Sequence, residues 1–178
     1  GLPDSSRGGP MTLVIPTSAD MERWGSLCAG VAETGDVIVL TGELGAGKTT
    51  FARGFGEALD LDTPVSSPTF IVARTHPRKD PALPSLVHID AYRLGSAAEL
   101  DELDIDVEKS IVLAEWASPF ASTLADSWVE IVLERPVGGS ASLEDDEPRQ
   151  ATLVAHGQGS ELAKRLGAAS EEFDVSRG

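Results

Sequence analysis

The strongest constraint in the sequence is a buried-strand pattern, residues 37–41, that runs directly into a glycine-rich loop, residues 42–49. The loop reads Gly-Glu-Leu-Gly-Ala-Gly-Lys-Thr and matches G-x-x-x-x-G-K-[ST], the phosphate-binding P-loop. Its glycines allow the backbone to adopt positive φ, so that successive N–H groups can converge on a phosphate. A helix that begins near Lys48 adds its positive N-terminal end at the same point. The chain must therefore fold around a strand, a phosphate loop and a helix in that order.

The residues beside the loop decide between a nucleotide site and an ordinary glycine-rich turn, which can match the motif by chance. In the motif, Lys48 reaches the β- and γ-phosphates and the Thr49 hydroxyl holds Mg²⁺. After them, Phe51, Phe55 and Leu59 recur every fourth residue, which places them on one buried face of a helix. Because a β-branched strand precedes the loop and an amphipathic helix follows it, the sequence favours the nucleotide site.

Composition limits the class of protein and its partners. The 178 residues suit one well-buried domain, and no apolar run is long enough to span a membrane. No secretory signal pattern follows the N-terminus, and the single cysteine, Cys28, excludes an internal disulfide, so we expect a cytoplasmic protein. The net charge is −15, from 29 acidic and 14 basic residues. Such a surface repels phosphodiester backbones, so tight, direct binding of nucleic acid is not expected.

Strand and helix patterns alternate along the chain. Strands are expected at residues 12–15, 37–41, 70–73, 86–90, 111–114, 128–133 and 149–154, the last two as antiparallel neighbours. Helices are expected at residues 19–33 with Ser18 as the N-cap, from Lys48 to Leu59, at 96–106 with Leu100 and Leu103 facing inward, at 119–125 and at 159–168. Residues 76–85 predict a hairpin-like loop and residues 137–148 a flexible acidic connection.

This alternation predicts an α/β protein, specifically a three-layer P-loop NTPase fold with a mainly parallel sheet and antiparallel strands at one edge. Residues 1–10 are expected to be a disordered arm, residues 11–168 the P-loop domain and residues 169–178 a flexible tail. An open sheet of this kind binds its ligand beyond the carboxyl ends of its strands.

Two acids follow apolar strands at such ends, Asp90 and Glu115. A P-loop enzyme needs a second group to hold Mg²⁺ and another to orient the attacking water or hydroxyl, and either acid fits either task. A strand-end acid can also be a helix cap or a surface ion pair. His88 precedes Asp90 by two residues and shares its face of the strand, so it either lines the site or is a buried histidine satisfied by the backbone. No [NT]-K-x-D guanine signature occurs, which favours ATP over GTP.

Four segments, in this order, resemble the motifs of one bacterial family, the P-loop ATPase component of the tRNA threonylcarbamoyladenosine biosynthesis machinery. The resemblance covers about residues 12 to 155. The segments are residues 42–54, Ser67-Pro-Thr-Phe70, His88-Ile-Asp-Ala-Tyr-Arg-Leu94 and Glu115-Trp116. The chain departs from the family pattern at Ala117-Ser-Pro119, in the long loop 76–85 and in the segment 137–148. These departures bear on the partner contacts and the adenine pocket more than on the phosphate site.

The resemblance implies that residues 11–168 are a P-loop ATPase domain, with ATP and Mg²⁺ as cofactors. Two partner proteins are implied, the threonylcarbamoyl transferase and its companion, with tRNA reached only through that complex and no membrane involved. Together they would modify the adenosine beside the anticodon of tRNAs that read codons beginning with A.

The resemblance also implies residue roles. Lys48 and Asp90 would be catalytic, with Asp90 orienting or activating the attacking water, while Thr49 and Glu115 would coordinate Mg²⁺. Trp116 would belong to the site region. The nucleotide-binding residues would be Gly42, Glu43, Leu44, Gly45, Ala46, Gly47, Lys48, Thr49 and Thr50, then Thr69 near the γ-phosphate in a switch-like segment, and Ser18 and Arg149 near the base.

Two alternatives share the fold and the P-loop. A small-molecule or nucleotide kinase needs several arginines around two phosphate-bearing substrates and a mobile lid, and no arginine-rich lid segment is evident. A non-catalytic nucleotide-dependent assembly switch would bind nucleotide without turnover, even with its partners.

Overall fold

The computed structural model describes residues 10–43, 45–65, 72–135, 147–157 and 161–177. The strands in these ranges are β1 Met11–Ile15, β2 Val37–Thr41, β3 Ala73–His76, β4 Leu86–Asp90, β5 Ile111–Glu115, β6 Trp128–Glu134 and β7 Arg149–His156. The helices are α1 Ser18–Gly30, α2 Lys48–Ala58, α3 Ala97–Asp101, α4 Ala121–Leu124 and α5 Glu161–Arg177, with 3₁₀ turns at Ala91–Arg93, Val107–Lys109 and Ser118–Phe120. No helix in these ranges is long and apolar enough to cross a membrane.

All seven strands join one mixed sheet in the order β1-β7-β6-β2-β5-β4-β3. At its centre β2 is parallel to β5 and to β6, and β5 is parallel to β4. Antiparallel pairs occur at both edges, β6–β7–β1 on one side and β4–β3 on the other. The expected α/β fold with a mainly parallel centre and antiparallel strands at one edge is confirmed, and the β3–β4 pair adds a second antiparallel edge at the hairpin-like loop expected for residues 76–85. The short connection between β3 and β4 permits a hairpin and is too short for a parallel crossover.

The central strands are buried on both faces, which gives the three layers. On one face, Leu40 and Leu113 belong to a core shared with α1, α2 and α5. On the other face, Val39 and Ala114 pack in a second core with Leu100 of α3 and neighbouring residues of α4. Burial on both sides explains why the first four residues of β2 and of β5 are all apolar rather than alternating with polar residues.

Helix α2, which carries the P-loop at its N-terminus, is held against α1 at a very short backbone distance. A Cβ placed on Gly54 would lie only 1.9 Å from the carbonyl oxygen of Glu22 in α1, so glycine alone fits there. Beside this contact, the rings of Trp24 and Phe51 meet edge to face with centroids 5.1 Å apart. The position of the P-loop therefore depends on α1 as well as on β2.

Helices α1 and α3 end earlier than the sequence predicts. Thr17, not Ser18, caps α1, because the Thr17 hydroxyl accepts a hydrogen bond from the Asp20 N–H at 3.0 Å. That helix ends at Gly30 rather than at residue 33. The helix expected at 96–106 is shorter and ends at Asp101. Leu103 is consequently 36% exposed, and the prediction that it faces inward is wrong.

The C-terminal helix is longer than the sequence indicates. We expected it to end at residue 168 and residues 169–178 to form a flexible tail, but α5 continues to Arg177. Its last turns are anchored on α1: the Trp24 indole N–H donates to the Ser170 hydroxyl at 3.0 Å, and the Arg23 guanidinium lies 4.4 Å from the centre of the buried Phe173 ring. Tertiary packing of this kind stabilises a helix whose own sequence is too polar to predict it.

Three predictions fall on residues that the structure describes only in part. The arm 1–10 and the connection 137–148 lie almost entirely outside the described residues. The strand expected at 70–73 is observed from Ala73 to His76, and residues 70 and 71 lie outside the described ranges.

Replacing Phe173 with alanine should lower the free energy of unfolding by about 3–5 kcal/mol, because it removes a fully buried ring from the α1–α5 contact. Urea unfolding followed by circular dichroism measures this loss. The control is Val175→Ala on the same helix, where the side chain is 81% exposed and the change should stay within about 0.5 kcal/mol. Equal urea midpoints for the two variants would contradict the packing of α5 described above.

Candidate functional site

A cavity of about 270 Å³ lies at the carboxyl ends of the parallel strands β2, β4 and β5, between the P-loop and the start of α1. This is the position at which an open α/β sheet binds its ligand. The residues that line it are Thr17, Ser18, Met21, Gly45, Gly47, Lys48, Thr49, Thr50, Asp90, Glu115, Trp116, Glu147 and Arg149.

The residue that caps the N-terminus of α2 leaves the first N–H groups of this helix without a side-chain acceptor. Gly47 is the N-cap of α2, has φ +108° and carries no side chain that could bond to the helix N–H groups. The first N–H groups of a helix have no partner within the helix, and the helix dipole favours an anion there. The start of α2, where Thr49 and Thr50 line the cavity, is therefore suited to a phosphate.

Lys48 is folded back onto the loop that precedes it. Its Nζ donates to the carbonyl oxygens of Gly42 and Glu43, the latter at 3.0 Å, and lies 4.4 Å from the centre of the Trp116 ring. Burial lowers the pKa of the Lys48 ammonium, while the negative charges of Glu115 and Asp90 act in the opposite direction. The site thus holds a nearly buried cation in contact with two carbonyl groups and an aromatic face, and near two acids.

Trp116 directly follows β5 and covers Lys48. Its φ is +60°, an uncommon conformation for a bulky residue, so the surrounding structure must hold the ring in place. The Tyr92 ring packs edge to face against it at 5.3 Å and is itself 69% exposed. Trp116 therefore forms one wall of the cavity, and the exposed Tyr92 ring packs against Trp116.

The two predicted acids are direct neighbours in the sheet. Asp90 and Glu115 are register partners at the ends of β4 and β5. One oxygen of Asp90 accepts the Tyr92 N–H at 3.0 Å, which orients that carboxylate. One oxygen of Glu115 is 2.7 Å from Nε2 of His88. The partner of His88 is therefore a carboxylate of the site and not the backbone.

The oxygen atoms around the cavity suit Mg²⁺. The Thr49 hydroxyl and the carboxylates of Asp90 and Glu115 line the same space, and Mg²⁺ is commonly bound by one or two carboxylates together with substrate phosphates. Donors from α2, β4 and β5 thus come together although they are far apart in the sequence.

Arg149 and Glu147 form the side of the cavity next to the P-loop. Arg149 donates through Nη2 to the Gly45 carbonyl at 3.0 Å and through Nη1 to the Glu147 carbonyl at 2.6 Å. The Glu147 carboxylate accepts a hydrogen bond from Arg135 at 2.7 Å. Sequence reasoning missed Glu147, although its spacing of two from Arg149 would have placed both on one side of an extended strand.

The N-terminal turn of α1 forms the opposite wall. Ser18 lines the cavity, as do Thr17 and Met21, which the sequence analysis did not single out. Thr17 and Met21 are four residues apart, the spacing that brings two side chains to the same face of a helix, so the positioning of Ser18 could have suggested them.

Some predicted site residues support the loop instead of lining the cavity, and others cannot be placed. The carbonyls of Gly42 and Glu43 hold Lys48, and the buried Ala46 donates its N–H to Glu43 at 3.0 Å. Leu44 and Thr69, with the rest of the segment Ser67-Pro-Thr-Phe70, lie outside the described residues.

Behind the loop, a polar cluster fixes the end of β2. The Thr41 hydroxyl, one residue before the P-loop, donates to Glu130 at 2.6 Å, and His156 lies 3.0 Å from the other oxygen of the same carboxylate. Burial acts to raise the pKa of Glu130, but the hydrogen bonds from Thr41 and His156 outweigh it and hold this pKa below its usual range. An ionised Glu130 therefore ties β2, β6 and β7 together where the P-loop begins.

Comparison with known proteins identifies the family. The family model "Threonylcarbamoyl adenosine biosynthesis protein TsaE" matches residues 15–140. The chain is 40% identical over 141 residues to the tRNA threonylcarbamoyladenosine biosynthesis protein TsaE of Streptomyces coelicolor, covering 78% of this chain and 92% of that protein. The TsaE protein of Bacillus subtilis is 36% identical over 139 residues, or 76% of this chain and 80% of that one.

A solved structure has a similar fold. The crystal structure of Bacillus subtilis YdiB matches with a TM-score of 0.64 and 27% identity, covering 96% of this chain and 97% of that chain. The family suggested by the four sequence motifs is thereby confirmed. Because the family model covers most of the chain and the relatives match over most of their own length, the chain belongs to the TsaE family of tRNA threonylcarbamoyladenosine biosynthesis proteins.

Proposed function

We propose that this chain is the Mg²⁺-dependent ATP-binding and ATP-hydrolysing component of the machinery that installs threonylcarbamoyladenosine beside the anticodon of tRNAs reading codons that begin with A. The observation that carries the proposal is the convergence of Lys48, Thr49, Asp90 and Glu115 on one cavity in a protein of the TsaE family. These residues are the parts that phosphoryl transfer by a P-loop protein needs.

The P-loop would bind the phosphates through its N–H groups and through Lys48. To reach a phosphate, the Lys48 ammonium exchanges the carbonyl oxygens of Gly42 and Glu43 for phosphate oxygens, which is a favourable exchange for a poorly solvated cation. Thr49 and Glu115 would hold Mg²⁺, which supplies positive charge to the phosphate oxygens when bound.

Asp90 would orient the attacking water. Its carboxylate lines the same cavity as Lys48, and the hydrogen bond from the Tyr92 N–H fixes one of its oxygens. The second oxygen can then accept a proton or a hydrogen bond from water. Thr69 would contact the γ-phosphate, an assignment that rests on the family motif, and Ser18 and Arg149 would contact the nucleoside because they line the cavity from opposite walls.

The arrangement favours an ATPase over a kinase. Among the residues that the structure describes, Arg149 is the single arginine lining the cavity, and its guanidinium is bound to the Gly45 carbonyl. A kinase acting on two phosphate-bearing substrates would need several arginines there. An ATPase hydrolyses ATP when its partner proteins are present, whereas a non-catalytic assembly switch does not. A turnover measurement with the partners therefore separates the two.

Lys48→Ala should reduce ATP turnover by roughly 10²–10³-fold, because it removes the charge that neutralises the β- and γ-phosphates. Turnover is measured with the transferase and its companion present, and circular dichroism checks the fold. Lys109→Ala is the control, because the Lys109 side chain is 85% exposed and precedes β5 at the end of that strand opposite to Glu115. Unchanged turnover in a folded Lys48→Ala protein would exclude the proposed P-loop role.

Glu115→Ala and Asp90→Asn should fail in different ways. Glu115→Ala should weaken ATP binding in the presence of Mg²⁺ and leave binding in EDTA unchanged, because it removes a metal ligand. Asp90→Asn should bind MgATP almost normally and turn over roughly 10²–10⁴-fold more slowly, because it removes a base near the attacking water. Calorimetric binding and single-turnover kinetics separate the two effects, and an identical pattern in both variants would contradict the assignment of roles.

The partners would be the threonylcarbamoyl transferase and its companion protein. With a net charge of −15, the chain would repel the phosphates of tRNA instead of binding them. Its contact with tRNA would therefore be made through these partners. We propose residues 66–70 and the turn after Asp90 as the docking surface, because the exposed Tyr92 on that turn adjoins the nucleotide cavity. Hydrolysis would then change partner affinity, as in other P-loop switches.

The chain alone should bind tRNA weakly, and its affinity for the transferase pair should be higher with a non-hydrolysable ATP analogue than with ADP or without nucleotide. Fluorescence anisotropy with labelled tRNA and calorimetry with the transferase pair measure the two affinities. Equal affinity for the pair in all three nucleotide states would exclude a switch. Tight tRNA binding by the isolated chain would contradict the charge argument.

A further inference from the structure

His88 is a buried histidine whose position the proposed roles leave unexplained. It lies on β4, is 1% exposed and places Nε2 2.7 Å from Oε2 of Glu115 on β5. Because side chains two apart on a strand share a face, His88 and Asp90 both lie on the side of β4 that faces the cavity. The contact joins a histidine that does not line the cavity to a carboxylate that does.

The direction of this hydrogen bond follows from the chemistry of the pair. An ionised carboxylate only accepts hydrogen bonds. In this contact Nε2–H of His88 is therefore the donor and Oε2 of Glu115 is the acceptor. The other ring nitrogen, Nδ1, is buried and has no hydrogen-bond partner among the residues that the structure describes. A buried polar atom without a partner is unfavourable, and the neighbouring positions Leu86 and Leu113 on this face are apolar. Stability of the core alone therefore gives no reason for a histidine here.

We infer that His88 is a positioning residue for Glu115. The Nε2–H group would fix Oε2 and so orient the carboxylate, leaving Oε1 available to a Mg²⁺ ion held with Thr49. Hydrogen bonds to metal-binding carboxylates act in this way, and loss of such an outer partner typically costs about 10–100-fold in metal affinity or activity. The inference rests on the proposed function, because it assigns His88 to the Mg²⁺ site that this function requires.

The chain contains a matched control, His76. It lies on the adjacent strand β3 and is also 1% exposed, and its Nε2 has no hydrogen-bond partner in the ranges that the structure describes. It does not line the cavity and makes no hydrogen bond to Asp90 or Glu115 among the contacts of the described residues. A change at His76 should therefore show the effect of removing a buried imidazole without the effect of releasing Glu115.

The test compares His88→Leu, His88→Gln and His76→Leu with the wild-type chain. Leucine keeps much of the side-chain volume without a donor, while the glutamine amide nitrogen can reach the position of Nε2 and donate. Calorimetry measures the affinity for a non-hydrolysable ATP analogue in Mg²⁺ and in EDTA. His88→Leu should lose about 10–100-fold of affinity in Mg²⁺ and none in EDTA, whereas His88→Gln and His76→Leu should stay close to wild type.

A second readout uses the ligand-free wild-type chain and needs no variant to fold. Long-range ¹H–¹⁵N correlation spectra distinguish the two neutral tautomers of an imidazole, and His88 should be protonated at Nε2. A spectrum showing the proton on Nδ1 would overturn the inference. Thermal unfolding checks the variants, and His88→Asn, whose shorter amide cannot reach Glu115, replaces His88→Leu if the latter does not fold.

The outcomes separate this inference from the proposed function. If Mg²⁺ strengthens nucleotide binding by wild type and His88→Leu equally, positioning by His88 is wrong and the proposed function stands. If Mg²⁺ does not strengthen binding by wild type, the proposed metal site and this inference fail together. A loss in His88→Leu that His88→Gln restores and His76→Leu does not share would establish the role.

Discussion

The structure of the site depends on the parallel hydrogen-bonded register of β2, β5 and β4. This register places Leu40 beside Glu115 and Glu115 beside Asp90, so the P-loop and both acids lie at the carboxyl ends of neighbouring strands. Parallel strands require crossover connections, and each crossover brings a new loop to that end of the sheet. A one-residue slip of β5 against its neighbours would turn Glu115 to the opposite face and separate it from Lys48.

Several features of the site are unfavourable for stability when each is considered by itself. Lys48 is nearly buried and bonded to the carbonyls of its own loop, Trp116 has a positive φ, and Nδ1 of His88 has no hydrogen-bond partner within the described part of the chain. Features of this kind tend to occur at functional sites, where the rest of the fold compensates for them. Here the two apolar cores and the close α1–α2 contact provide that compensation.

The acidic charge of the chain and the cationic groups of the cavity serve different purposes. The surface carries most of the net charge of −15, whereas Lys48 and Arg149 lie where a nucleotide would need positive charge. Asp90, Glu115 and Glu147 line the same cavity, so an anion would have to be bound by local contacts with the two cations and not by the overall charge of the chain.

The sequence alone determined the P-loop, the central strands and the two strand-end acids, because these depend on local spacing and on apolar runs. It left open the full length of α5 and the presence of Thr17, Met21 and Glu147 in the cavity wall. The bond between His88 and Glu115 likewise joins residues 27 positions apart, and only the register of β4 against β5 brings them together. Local patterns report which face a side chain occupies, but the identity of its partner is decided when distant strands and helices pack.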